Sequence, residues 1–188
     1  MGIVPPRQGS ILFKNEDLIH KAPFRIARKG IGYVPEERRI FPGLTVRENL
    51  IMGFKTGIGK DARSVEAIDW AYGKFPQLKM RDNTLAGNLS GGEQQMLTLV
   101  RTLMGKPELV LIDEPSEGLS PLVTDLIFDL IGGIQAKGIS VILVDRRLIH
   151  TCGMAARVYI MVKGAIVFTG TGKEVLKGKE IQHKYLAV

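Results

Sequence analysis

The sequence predicts an α/β fold built on a parallel sheet, with a mostly helical stretch inserted into it. Three observations predict this. In the second half, short apolar runs alternate with segments of helical periodicity, the pattern of parallel strands joined by right-handed crossovers. Two of the runs, Leu109–Ile112 and Val141–Val144, contain no polar residue, as in strands covered on both faces. Upstream of them, about 45–105 shows helix starts and helical spacing with little strand pattern.

Taken in order, Gly2–Ser10 carries Pro5-Pro6 and Gly9 and reads as a turn, and Ile11–Phe13 as a short strand. Asp17–Lys29 has helical spacing with Gly30 as its stop, and Ile31–Val34 is a strand ended by Pro35. A charged loop, Glu36–Gly43, follows. Thr45-x-x-Glu48 and Ser90-x-x-Glu93 each fit a capping box, in which the hydroxyl and the glutamate satisfy orphan amides at a helix start. A helix over about 62–72 lies between them, and the one from Ser90 runs to Gly105. After the strand at Leu109–Ile112 come a helix over Leu122–Ala136, the strand Val141–Val144 and a helix over Leu148–Ala156. A hairpin, Val158–Val162 with Ala165–Thr169, turns at Lys163-Gly164, and a last helix spans Thr171–Leu176.

Composition excludes several classes. The 188 residues suffice for one domain with its own core, and 45% hydrophobic with 24% charged residues excludes disorder as the main state. Mean hydropathy is +0.08, and no apolar run approaches the roughly 18 residues of a membrane span. The single cysteine, Cys152, excludes a disulfide framework and a cysteine-based zinc site. The net charge of +7 invites anionic ligands, but the cations are scattered and only 6% of residues are aromatic, which argues against nucleic acid.

Two motifs carry the chemistry. Leu89-Ser90-Gly91-Gly92-Glu93-Gln94 places a hydroxyl at a helix cap and two glycines just inside it. Glycines there let another molecule approach the free amides, whose charge and dipole favour phosphate. Leu109–Glu114 is an apolar strand ending in two carboxylates, Asp113 and Glu114, at the sheet end where ligands of α/β folds bind. An aspartate there can hold Mg²⁺, and a neighbouring glutamate can take a proton from an attacking water.

This order of residues closely resembles the nucleotide-binding subunits of ABC transporters, members of the P-loop NTPase-like folds, over nearly the whole chain. Leu89–Gln94 is similar to the signature motif, Leu109–Glu114 to the Walker B strand, and Ser116–Pro121 to the D-loop. Val141–Asp145 leads to the switch region. The segment from Val34 to Leu50, with Glu114–Leu119, resembles the ATPase subunits of branched-chain amino acid importers, and those of urea importers look similar. The resemblance implies a single nucleotide-binding domain over 1–188 with a helical subdomain at about 45–105, the cofactors ATP and Mg²⁺, and ATP-driven uptake. Its implied partners are a second ATPase subunit and transmembrane permease subunits on the cytoplasmic side of the membrane, with no nucleic acid.

The resemblance also assigns roles. In this family two subunits sandwich ATP head to tail. Ser90, Gly91, Gly92 and Glu93 are then placed toward ATP held by the partner, while Asp113 and Glu114 serve this chain's own site, Glu114 as the hydrolytic residue. Glu36 stands at the Q-loop position, where a glutamine is usual, and a carboxylate there can reach Mg²⁺. Arg146 stands where the switch histidine is expected, and either meets a γ-phosphate or is a surface arginine. Ser120 replaces the D-loop aspartate.

By this resemblance the Gly-x-x-x-x-Gly-Lys-Ser/Thr phosphate loop belongs before residue 1, so the chain resembles a family member that begins late. Gly59-Lys60 and Gly172-Lys173 are followed by Asp61 and Glu174 and read as surface turns. Without that loop, nucleotide binding by the chain alone is expected to be weak, and Leu109–Ile112 and Val141–Val144 to lose cover. Two rival readings stand beside the importer subunit: a silent partner that only lends its signature helix, and an ABC-type ATPase acting on nucleic acid. His20, His150 and His183 do not stand at metal-ligand or triad spacing and read as surface or boundary residues, and Trp70 and Tyr72 read as packing residues.

Overall fold

The structure, a computed structural model, describes residues 1–54 and 62–185. The Gly59-Lys60 turn lies outside the described residues. Two compact units are present, Met1–Ile142 and the remainder from Leu143.

The first unit begins with a two-stranded ribbon, β1 (Leu12–Phe13) against β2 (Glu16–Asp17). Lys14 and Asn15, both with positive φ, make its turn. The helix expected over Asp17–Lys29 is cut to α1 (Pro23–Arg28). Pro23 explains the cut: the residue before a proline is driven out of the helical region, and Ala22 is extended with ψ 145°.

Next come β3 (Ile31–Val34), α2 (Val46–Met52), α3 (Ala62–Lys74), α4 (Pro76–Met80), a 3₁₀ turn (Ala86–Asn88) and α5 (Gly91–Met104). Sequence reading did not anticipate α4 or the 3₁₀ turn. Helix α5 is central to this unit: every residue from Gln95 to Val100 is buried. The chain then forms β4 (Leu109–Asp113), α6 (Pro121–Ala136) and β5 (Ser140–Val144).

The sheet order is β3-β4-β5. Strands β3 and β4 are parallel, with Tyr33 opposite Leu111 and Val34 opposite Ile112. Burial departs from the expectation. In β4 only Val110 and Ile112 are buried, while Leu109 and Leu111 are half-buried. In β5 burial alternates, and Ile142 and Val144 are 56% and 55% exposed. An apolar run alone cannot tell a strand covered on two faces from one covered on one, and β5 stands last in the order.

The second unit contains α7 (Leu148–Met154), the antiparallel pair β6 (Val158–Val162) and β7 (Ala165–Gly170), α8 (Gly172–Lys177) and a further helix not expected from sequence, α9 (Lys179–Tyr185). Lys163 and Gly164 both take positive φ, 48° and 81°, as a tight two-residue hairpin requires. Cys152, Ile160 and Val175 form the core of this unit. Gly172-Lys173 is the first turn of α8, capped by Thr171 and Glu174, so it forms no phosphate loop. No described helix is long and apolar enough to cross a membrane.

Candidate nucleotide site

The N-terminus of α5 is built by its own first residues. Ser90 is extended (φ −61°, ψ 158°), and its hydroxyl oxygen accepts from the Glu93 N–H at 3.3 Å. The Glu93 carboxylate reaches back to accept from the Ser90 N–H at 2.8 Å and from its hydroxyl at 2.7 Å. Arg81 lies 3.5 Å from the other Glu93 oxygen. The amides of Gly91 and Gly92 have no acceptor within the helix, as at any helix start.

Each glycine already faces a residue of this chain. A Cβ on Gly91 would collide with the Arg38 guanidinium, and one on Gly92 would stand 3.2 Å from Val123 in the first turn of α6. The sequence reading treats both glycines as clearing space for another molecule. The structure adds an internal reason for each.

Asp113 ends β4, and Glu114 follows with φ +40°, a strained conformation for a side-chain-bearing residue. That turn takes Glu114 out of the strand's alternation, leaving it half-buried. The parallel register sets Glu36, two residues beyond the end of β3, at the same sheet end as Asp113. Burial first, then the Asp113 carboxylate, pushes the Tyr33 phenol above its ordinary value, with Glu37 and Glu36 adding smaller repulsions. Glu36 itself is exposed.

The loop carrying Glu36 is held by side chains that sequence reasoning missed. Asn49 of α2, fully buried, accepts from the Phe41 N–H at 2.9 Å and donates to the carbonyls of Phe41, Thr45 and Leu44 at 3.0, 3.0 and 3.3 Å. Arg101 of α5 donates to Asn49 Oδ1 at 3.1 Å and to the Arg39 carbonyl, and lies over the Phe41 ring at 4.8 Å. Spacing gives no hint of these contacts, since Asn49 and Arg101 are 52 positions apart.

Ser90, Gly91, Gly92 and Glu93 therefore share one helix end, and Glu36, Asp113 and Glu114 one sheet end. Arg146 belongs to the other unit, where it is exposed just after β5. His20 and His183 are exposed and His150 is half-buried. Tyr72 is buried against Asp82, and burial raises its phenol pKa. Trp70 lines an apolar hollow of about 390 Å³, with Lys137 4.9 Å from its ring.

This donor set fits a phosphate chain and a hard cation. Among the described residues no three His, Cys, Asp or Glu side chains gather into a metal cage. Magnesium requires none, because one or two carboxylates plus phosphate oxygens suffice for it.

Residues 1–117 match the family model described as ABC transporter. The chain belongs to the ABC transporter family. It is similar to BraG of Pseudomonas aeruginosa, a high-affinity branched-chain amino acid transport ATP-binding protein, with 42% identity covering 95% of this chain and 76% of that one. It is also similar to LptB of Haemophilus influenzae, a lipopolysaccharide export system ATP-binding protein, with 32% identity over 99% of this chain and 77% of that one. Among solved structures, a nucleotide-free ATP-binding cassette of an ABC transporter superposes with a TM-score of 0.79 at 27% identity, covering 98% of this chain and 79% of that one. The ABC transporter chain is thus an ATP-binding subunit of the ATPase class, with the α/β fold of the ABC cassettes.

Proposed function

We propose that this chain is the ATP-binding subunit of an importer for branched-chain amino acids. The observation that carries the reading is the pairing of a capped, glycine-bearing helix start at Ser90 with a strand ending in Asp113 and Glu114. The solute class is supported by the 42% identity to BraG, against 32% to the export protein LptB. Its partners are a second ATP-binding subunit and transmembrane permease subunits, and its place is the cytoplasmic face of the membrane. The helical stretch at about 45–105 serves as the helical subdomain.

Asp113, with Glu36 at the same sheet end, would hold Mg²⁺; the ion, when bound, screens phosphate charge. Glu114 accepts a proton from the water that attacks the γ-phosphate, from a turned backbone (φ +40°) just after β4. Ser90, Gly91 and Gly92 offer the hydroxyl and free amides of α5 to the phosphate of ATP bound by the partner subunit. Glu93 orients Ser90.

Leucine uptake by cells that depend on the complex tests this reading. Ser90→Arg should abolish uptake while the subunits still co-purify. Undiminished leucine uptake, or loss of a different solute's transport alone, would contradict it.

A further inference from the structure

Arg38 lies in the loop after β3, and its side chain meets two distant segments. Its backbone is turned (φ +33°), with its N–H donating to the Glu36 carbonyl at 2.9 Å and its own carbonyl accepting from Ile40 at 2.7 Å. The guanidinium donates to the Glu117 carbonyl at 3.1 Å, stands 3.4 Å from where a Cβ on Gly118 would be, and covers Gly91. Among the described residues no carboxylate forms an ion pair with it, whereas its neighbour Arg39 pairs with Glu37 at 2.9 Å.

A cation at a helix N-terminus sits at the unfavourable end of the helix dipole. Electrostatics with α5 therefore does not account for the position, whereas the geometry does. One planar group with five donors spans the loop after β3, the first turn of α5 and the loop after β4. Gly91 is the residue type that leaves room for it.

We propose that Arg38 is a positioning residue that couples the partner-facing turn at Ser90–Gly92 to the Glu114–Gly118 loop, so that the two halves of the nucleotide machinery shift together. The coupling to nucleotide rests on the importer-subunit reading above, but the mechanical link does not. The link predicts that Gly91→Ala acts by pushing the guanidinium away. It should then reproduce the effect of Arg38→Ala rather than add to it.

Amide hydrogen exchange on the 188-residue chain tests the link without nucleotide. Glu117 and Leu119 donate to Glu114 and Ser116, both at 3.3 Å, and report on the loop. Arg38→Ala and Gly91→Ala should each speed exchange there by about tenfold, the worth of one hydrogen bond. The double variant should be no faster than either, and Arg38→Lys intermediate. Additive effects, or unchanged exchange in Arg38→Ala and Arg38→Lys, would overturn the proposal. In the intact complex, Arg38→Ala should lower the Hill coefficient for ATP toward one, with KM changed less than about threefold. An unchanged Hill coefficient overturns the coupling and leaves the importer reading standing. The uptake result for Ser90→Arg decides that reading separately.

Discussion

The Glu93 carboxylate takes both hydrogens that Ser90 offers, one from its backbone and one from its hydroxyl, at 2.8 and 2.7 Å. The hydroxyl can therefore donate to a phosphate only by leaving Glu93. A negative charge also stands beside the helix end proposed to receive an anion. Glu93→Gln keeps one acceptor and removes that charge, so it should lower KM for ATP in the intact complex with little change in Tm. Glu93→Ala strands the Ser90 N–H and should cost about 1 kcal/mol of stability in chemical denaturation. Equal KM values for Glu93→Gln and the parent would count against the charge argument.

Asn49 is the keystone of the loop that presents Glu36 and Arg38. Asn49→Ala leaves the Phe41 N–H without its acceptor and removes a partner of Arg101. The expected cost is about 1–3 kcal/mol, read from urea unfolding. Arg101→Ala should share part of that loss in a double-mutant cycle, and strict additivity would contradict the network.

Two exposed capping boxes predict an acid limb. Hydrogen bonds from the Thr45 and Thr171 backbone N–H groups, then their hydroxyls, hold Glu48 and Glu174 below the usual carboxylate range. Their folded-state pKa is depressed, so their contribution is present above the unfolded glutamate value of about 4.3 and is lost as pH falls through the folded value. A Glu48→Gln, Glu174→Gln variant should show a shallower fall in Tm below about pH 4.3. An unchanged acid limb would contradict the assignment.

Cys152 is buried in the core of the second unit, and burial raises its thiol pKa. Less thiolate forms at a given pH, so alkylation should be slow in the native chain and fast in denaturant. Labelling at equal rates in both states would show that this core opens readily.

The capping boxes illustrate what local sequence can show. Thr45 with Glu48 and Ser90 with Glu93 are legible because all their partners lie within one turn, and Thr171 with Glu174 has the same spacing. The Asp113-Glu114 strand end is legible because an apolar run stops at charge. The helix that apolar spacing suggests over Asp17–Lys29 is shortened to Pro23–Arg28, because spacing alone does not weigh Pro23, whose backbone restriction the fold obeys. Burial along β5 depends on which elements cover it, and a run of valine and isoleucine does not specify that. Arg38 stands outside local reach altogether: its acceptor, Glu117, is 79 positions away, and only the folded chain brings a scattered surface cation onto Gly91.

ATP turnover by the intact transport complex carrying Glu114→Gln is the most direct measurement. The substitution keeps size and hydrogen bonding at the turned residue after β4 and removes the base. Turnover should fall by about 10²–10⁴-fold while radiolabelled ATP remains bound to the complex. Turnover equal to that of the parent would contradict the account, leaving the two carboxylates at the end of β4 with a structural or purely metal-holding role.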